Sequence, residues 1–585
     1  MTGSDAQFDA WNPGIASVIP TRLLPLVTLY RQENSRIGYP EARELAEICG
    51  LKPHEMIAFT VRRLVVHELL IRVTADLHVP DGPNYADLGL CLRGMTARIL
   101  EAHVEPRMTE LERAFDDLRD DIDTRLRALL DRDIFDRPPP EPVAGQGILA
   151  RIFGRTERPD AETAPPEMIA VSRWEDAIPQ SGSPVERACL QGLRMIVSAI
   201  VGQRGRLMAD RETVARLASN WICNSYGSER IGDLLDPIIR EAVAAEGYTY
   251  LPFQKSPVIL NVKGASAAGK STIRPLQRQL AQRIGVPWDT FAIVSPDYWR
   301  KFLLDYNTLG DDRKYAAMLT GQELEIIDKK LDGYIERKAT RSELPHLLLD
   351  RFRFDSFGSG ASQPADSRLL SRFGDTVFMF FVITPPAETV ERAWTRGIET
   401  GRYKAVDDLL YHNIEAYTGM PHLFFNWVKK DRQKMHFEFL DNSIPHGSLP
   451  RSVAFGWNDK ITILDMHCMR QMNVFQKINV SAKRPEDVLI KTNETPDDVI
   501  MDCIRKIKDV TFVDSDTLRI MGHTRNGKCD YEVGGFFGKS SIDVEYAIPL
   551  AETSEATSPE IQGASGPVLD FEYERTFTVG SWGPG

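Results

Sequence analysis

Apolar and polar positions divide this chain into an N-terminal half of helical periodicity and a centre of strand-like apolar runs. Residues 40–80 read as a short helix reaching a break at Gly50, a second helix from Pro53 to His67, and an apolar β-like run from Leu69 to Val73. That order is the one found in a winged helix-turn-helix. From Val104 the apolar positions Met108, Leu111, Phe115, Leu118, Ile122, Leu126 and Leu129 recur at steps of three and four, which predicts one long amphipathic helix of about three heptads. Such a stripe serves equally to pair residues 100–130 with a second copy as a coiled coil or to pack on its own chain. Pro, Gly and charge crowd 136–169, marking a linker. Helical periodicity then resumes over 170–250, with a Ser183-Pro184 start signal.

The central pattern changes to short buried strands. Val258–Val262 is β-branched, TFAIVSPD ends at Asp297, LPHLLLD ends at Asp350, and 376–383 (TVFMFFVI) is apolar throughout, as a strand covered on both faces must be. Helical segments lie between them, so the arrangement is βαβ with a parallel sheet, closing through MHFEFLDNS and KITILD near Asp465. Beyond it a helix around 496–510, strand-like runs at TLRIMGH, KCDYEVGG and FEYERTFTV, and a flexible stretch at 551–566 predict a small α+β C-terminal module. The domain reading is therefore 1–95 winged-helix-like, 96–135 long helix, 136–169 linker, 170–250 helical block, 251–466 parallel-sheet domain and 467–585 C-terminal module.

Composition narrows the function classes. The 585 residues are 42% apolar and 26% charged, ordinary for a globular protein. No run of eighteen apolar residues exists to span a membrane, and the first residues lack the basic region and apolar core of a signal peptide. Seven cysteines stand singly with no CxxC pair, the usage of a reducing cytoplasm rather than of disulfides or zinc. The His467-Cys468 neighbours have no second pair and read as packing. Residues 255–465 carry a net charge of +3 and the remainder −15. A mildly basic centre suits a polyanionic ligand such as a nucleotide, whereas acidic flanks disfavour nucleic acid. The winged-helix-like module is itself net negative, so it is read as a packing or protein-partner module.

The candidate chemistry lies between strand and helix at Gly264–Ser271, GASAAGKS, which fits GxxxxGK[ST]. Small residues Ala265, Ser266, Ala267 and Ala268 let backbone N–H groups close on phosphates at a helix N-terminus. With Gly264, Gly269 and Thr272 they form the expected ATP-binding set; Lys270 can reach the β- and γ-phosphates and Ser271 can bind Mg²⁺ through its hydroxyl. In a parallel sheet ligands bind beyond the carboxyl ends of the strands, where Asp297 and Asp350 stand. Arg392, Arg396 and Arg402, flanked by Gly397 and Gly401, follow the last buried strand as an arginine segment able to close on a γ-phosphate.

These residues resemble the zeta-toxin family of small-molecule P-loop kinases, relatives of chloramphenicol phosphotransferase and polynucleotide kinase. The likeness covers 255–465 and rests on GASAAGKST, on SPDYWR as the counterpart of a D-x-D-x-F-[RK] element, and on the arginines after VFMFFVITPP. It implies a P-loop NTPase sheet flanked by helices, with Mg²⁺ and ATP as phosphate donor. It implies Asp297 as the base that deprotonates the acceptor hydroxyl, Arg396 and Arg402 as lid arginines, and Asp350 near substrate and metal, with Arg300 on the substrate side. Ser295 replaces the first acid of that element, and Asp350 is shorter than the usual Glu. The function expected is transfer of the γ-phosphate to a hydroxyl of a small nucleotide-like molecule, a nucleotide sugar or dinucleotide. Two alternatives stay open: a 5′-polynucleotide kinase, and a non-catalytic ATPase switch that controls the N-terminal modules. The helical block 170–247 serves either as a cover or as a restraint in cis, and periodicity does not choose between them.

Overall fold

The computed structural model describes residues 8–84, 86–136, 164–351, 370–430, 433–445, 448–490, 498–534, 536–537 and 572–583. Its N-terminal half is helical: α1 (Tyr39–Cys49), α2 (Val61–Asp76), α3 (Asp87–Ile99), α4 (Met108–Leu130), α5 (Pro166–Ala177), α6 (Pro184–Arg204), α7 (Arg211–Ile222) and α8 (Ser228–Glu246). Gly50 ends α1 in the left-handed region at φ +70°. Ser183 caps α6 by accepting from the Glu186 N–H at 3.5 Å, with Pro184 beginning the helix.

No wing follows α1. The expected strand Leu69–Val73 is the middle of α2. That run is apolar because α2 is buried on all sides, and a short run of this kind fits a buried helix as well as a strand. The charges of α2 are paired internally. Arg63 grips Glu323 at 2.5 and 2.7 Å, His67 Nε2 lies 2.7 Å from the same carboxylate, and Arg72 bonds Glu68 (2.7 Å) and Asp236 (2.6 Å). The stripe of α4 (Leu111, Phe115, Ile122, Leu126) is buried against α6 and α7 of the same chain. Of the two uses open to that face, packing at home is realised. The predicted linker falls mostly outside the described residues, and α5 begins within its C-terminal end.

The second half is one sheet: β1 (Val258–Gly264), β2 (Phe291–Val294), β3 (His346–Asp350), β4 (Thr376–Ile383), β5 (Lys434–Asp441), β6 (Arg451–Trp457), β7 (Lys460–Ile463), β8 (Asp509–Val513), β9 (Ile520–Arg525) and β10 (Lys528–Glu532). Their order is β10-β9-β8-β7-β6-β5-β4-β1-β3-β2. Strands β2, β3, β1, β4 and β5 are mutually parallel, β7 and β8 pair parallel, and the other neighbours are antiparallel. The helices of this half are α9 (Arg274–Arg283), α10 (Arg300–Leu303), α11 (Ala316–Leu319), α12 (Gly321–Thr340), α13 (Pro386–Thr400), α14 (Val406–Val428), α15 (Met466–Val474), α16 (Val499–Arg505) and α17 (Glu572–Phe577).

Two expectations are corrected here. The described C-terminal residues do not form a sheet of their own, because β8 pairs with β7 and continues the central sheet. The described part of FEYERTFTV is not a strand: Glu572–Phe577 is helical, and Phe577 packs among Phe378, His436 and Trp457. The segment 551–566 lies outside the described residues. Cys468 is buried in α15 with Met469 and Met472, and the described residues hold no group of three or more His, Cys, Asp or Glu placed to bind a metal ion. No described helix is long and apolar enough to cross a membrane.

Candidate active site

Register sets the frame of the site. Val262 of β1 pairs with Asp350 of β3, and Gly264 pairs with Val382 of β4, so the carboxyl ends of these strands meet at one edge. A Cβ at Gly264 would stand 3.0 Å from the Val382 carbonyl oxygen, which explains glycine where the chain leaves β1. The loop then turns through two left-handed residues, Ala267 (φ 63°) and Gly269 (φ 92°). Ala268 offers its carbonyl to Thr384 Oγ1 (2.9 Å) and Asn442 Nδ2 (2.8 Å), the first residues beyond β4 and β5. Its curvature is thus held from two neighbouring strands. Ser266 and Ala267 are half-buried at the tip. The predicted helix begins not at Ser271 but after a 3₁₀ turn, Lys270–Ile273, with Pro275 at the start of α9. Thr272 braces this turn by donating to Gly269 O at 2.6 Å.

Lys270 donates from Nζ to the Gly264 and Ala265 carbonyls at 3.0 and 2.8 Å. Burial lowers its pKa to about 8; Asp350 and Asp297 oppose that shift, and Arg396 and Arg402 add to it. Next to it the Ser271 hydroxyl donates to Asp350 Oδ2 at 2.8 Å, with Ser295 Oγ at 3.5 Å and Arg274 at 3.6 Å from the same oxygen. The Asp350 side chain is only 8% exposed. A serine hydroxyl and a carboxylate in contact are hard oxygen donors of the kind Mg²⁺ takes together with substrate phosphates and water, so the pair fits the expected metal.

Asp297 lies in the 3₁₀ turn Pro296–Trp299 that follows β2, beyond the strand end predicted for it. It caps no helix: Arg300 Nε reaches its Oδ1 at 2.9 Å and Arg402 Nη2 its Oδ2 at 2.5 Å. Burial raises the carboxyl pKa, but Arg402, Arg300 and Arg396 outweigh that and hold it well below the usual carboxylate range. Arg300 is itself fixed, donating to Ala317 O (2.6 Å) and Thr320 Oγ1 (3.0 Å). It therefore orients Asp297 and anchors the turn, rather than standing ready for substrate as the sequence suggests.

Arg396 on α13 bears electrostatically on Lys270, Asp297 and Lys404. Arg402 follows Gly401, which closes α13 at φ +77°. A Cβ on Gly397 would strike the Tyr403 ring at 2.5 Å. These glycines are a cap and a close-packing position. Arg392 has a different role. It pairs with Glu388 (2.8 Å) and donates to Asn442 O (2.7 Å), pinning α13 to the end of β5.

The sequence reading missed Lys404 and His412. Lys404 Nζ lies 2.6 Å from His412 Nδ1 and 3.3 Å from Asp408 Oδ2. Burial brings the Lys404 pKa to about 8. Burial, Lys404 and Lys270 together lower His412 to about 2, so it is a neutral imidazole beside the loop lysine. The available signal was the 404/408/412 spacing directly after Arg402. Lys270, Arg274, Arg300, Arg396, Arg402 and Lys404 thus outnumber Asp297, Asp350 and Asp408, and the surplus favours a polyanion. No protein-family model matches the chain, and no curated protein or solved structure matches it either.

Proposed function

We propose that this chain is a P-loop kinase of the zeta-toxin type, which transfers the γ-phosphate of Mg-ATP to a hydroxyl of a small nucleotide-like molecule. What supports the reading is one convergence: Lys270 and the Ser271–Asp350 pair meet, at the carboxyl ends of β1 and β3, an aspartate clamped by Arg402 and Arg300. Phosphoryl transfer needs little covalent help from a protein; it needs positioned charge and a proton acceptor. Lys270, Arg396 and Arg402 supply the charge, and Lys404 extends it. Ser271 and Asp350 would hold Mg²⁺, which when bound neutralises phosphate charge.

Asp297 takes the hydroxyl proton as the acceptor oxygen bonds to the γ-phosphorus. The bond from phosphorus to the β,γ-bridging oxygen breaks, and ADP leaves with the electron pair. While clamped by Arg402, Asp297 is a weak base. A γ-phosphate competing for Arg402 loosens that clamp and raises the basicity of the carboxylate where the acceptor arrives.

The test is γ-labelled ATP incubated with the protein and a metabolite extract, with products read by mass spectrometry. Label is expected on a small acceptor with the native chain and not with Lys270→Ala. Near-native transfer by Lys270→Ala would end the kinase reading. Lys270-dependent ATP hydrolysis with no labelled acceptor would favour the ATPase switch, and label on 5′-hydroxyl oligonucleotides the polynucleotide kinase.

A further inference from the structure

Beyond Asp297, on the side where α3 meets the turn that carries it, stands a second group of cations outside the set already described. α3 is pressed against that turn: a Cβ on Gly89 would lie 2.5 Å from the Tyr298 ring, and Arg93, one helical turn later, donates to the Tyr298 carbonyl at 3.3 Å. Lys301 follows on α10, its ammonium 5.7 Å from the centre of the Tyr306 ring. Tyr306 packs against Gly401, one residue before Arg402, with 3.3 Å between its Cδ2 and a Cβ placed there. The Tyr306 hydroxyl is buried with no hydrogen-bond partner among the described residues.

The charges of this group do not balance internally. Arg93 is half-buried, and the groups that bear on it are two tyrosines and no carboxylate. The charges acting on Lys301 are those of Arg93 and Arg402, both cationic. Tyr306 feels Arg300, Arg402, Asp297 and Arg93, which places it between the proposed base and the Arg93–Lys301 pair. Arg93 is half-buried and Lys301 is exposed, and the Tyr306 hydroxyl between them is buried without a partner among the described residues, so an anion arriving at this edge would meet two cations and an unused donor. The fully buried arginines of the N-terminal helices, by contrast, face carboxylates, as in Arg63–Glu323 and Arg72–Glu68.

We infer that the N-terminal helical unit completes the acceptor side of the site, with Arg93, Lys301 and the Tyr306 hydroxyl forming a subsite for an oxyanion, such as a phosphate group, carried by the acceptor. This rests on the kinase reading and adds to it. It gives the phosphate of a nucleotide-like acceptor a place, and an arginine from outside the parallel-sheet domain selects it. The guanidinium offers paired N–H donors, Lys301 adds charge, and the tyrosine hydroxyl adds a directed donor.

The test uses the full chain saturated with Mg²⁺ and a non-hydrolysable ATP analogue, titrated calorimetrically with inorganic pyrophosphate. Saturable binding is expected, weakened about tenfold or more in Arg93→Ala, less in Arg93→Lys, and severalfold in Tyr306→Phe. The ATP-analogue affinity of each variant reports that it is folded. No pyrophosphate binding to the native complex, or equal binding by Arg93→Ala and Lys301→Ala, overturns the subsite and leaves the kinase reading standing. Failure of the ATP analogue to bind, or binding indifferent to Lys270→Ala, removes the kinase reading and this inference with it.

Discussion

At the scale of single residues, the tightest constraint is the clamp on Asp297. In Asp297→Asn the amide keeps the shape of the side chain but neither attracts Arg402 nor accepts a proton. ATP-analogue affinity is therefore expected to hold or improve, since Arg402 is released toward phosphate, while phosphoryl transfer falls by about 10²–10⁴-fold. Calorimetry beside a transfer assay separates the two effects, and full activity would remove the base role. Lys270 gives a pH signature. Its pKa of about 8 without nucleotide means the ammonium is already titrating near neutrality. A bound polyphosphate favours the charged form, so binding takes up a proton above pH 8. ATP affinity should thus be flat below that pH and weaken as pH rises through and beyond it. Binding enthalpies at pH 8.5 should depend on the ionisation heat of the buffer, and this dependence should vanish in Lys270→Met.

At the scale of elements, what the sequence made legible follows from locality. The loop 264–272 is read from contiguous residues whose backbone has to turn, and β4 from seven consecutive apolar residues that only a doubly covered strand explains. The partners of the loop are distant in sequence: Thr384, Asn442 and His412 reach it through the sheet register and the α13–α14 turn, which no local pattern encodes. Short apolar or alternating segments mislead for a related reason. Leu69–Val73 and Glu572–Phe577 carry strand-like patterns, but tertiary packing decides them, all-round burial for the first and the ring cluster at Trp457 for the second. The same burial makes the joint between α2 and α12 sensitive. Glu323 is fully buried and held by Arg63 and His67. Glu323→Ala leaves a buried guanidinium unpaired, and losing one partner of such a pair costs about 3–5 kcal/mol. A clear fall in the thermal unfolding midpoint is expected at neutral pH. The carboxyl pKa is held low despite burial by Arg63 and His67, so the native pair contributes fully above the unfolded carboxyl range and is lost only as pH falls through the depressed folded value. The gap between variant and native chain should therefore narrow on acidification.

At the scale of the whole molecule, the question is whether the N-terminal half restrains the site or supports it. The helices from α5 to α8 meet the second half along α12, where Lys330 donates to Ser228 (2.8 Å) and Arg337 pairs with Glu229 (2.7 Å). The element lying on the sheet is α2, which packs beside β2 and α12. Across that seam Trp299 Nε1 donates to Thr74 Oγ1 at 3.1 Å, Tyr334 to Asp76 at 2.5 Å, and Lys338 pairs with Asp76. Trp299 is fully buried and sits two residues after Asp297. These contacts hold the turn of the proposed base in place. A fragment starting at Pro252 would expose Trp299, leave Glu323 without Arg63 and His67, and remove Arg93 from the acceptor side. Such a fragment is expected to aggregate, or to stay soluble with transfer well below that of the full chain, because an exposed apolar sheet flank and an orphaned buried carboxylate both oppose folding. Expression of the fragment, followed by size-exclusion chromatography and a transfer assay, decides the matter. A monomeric fragment faster than the full chain would mean that the helices act as a restraint and would overturn their role as support.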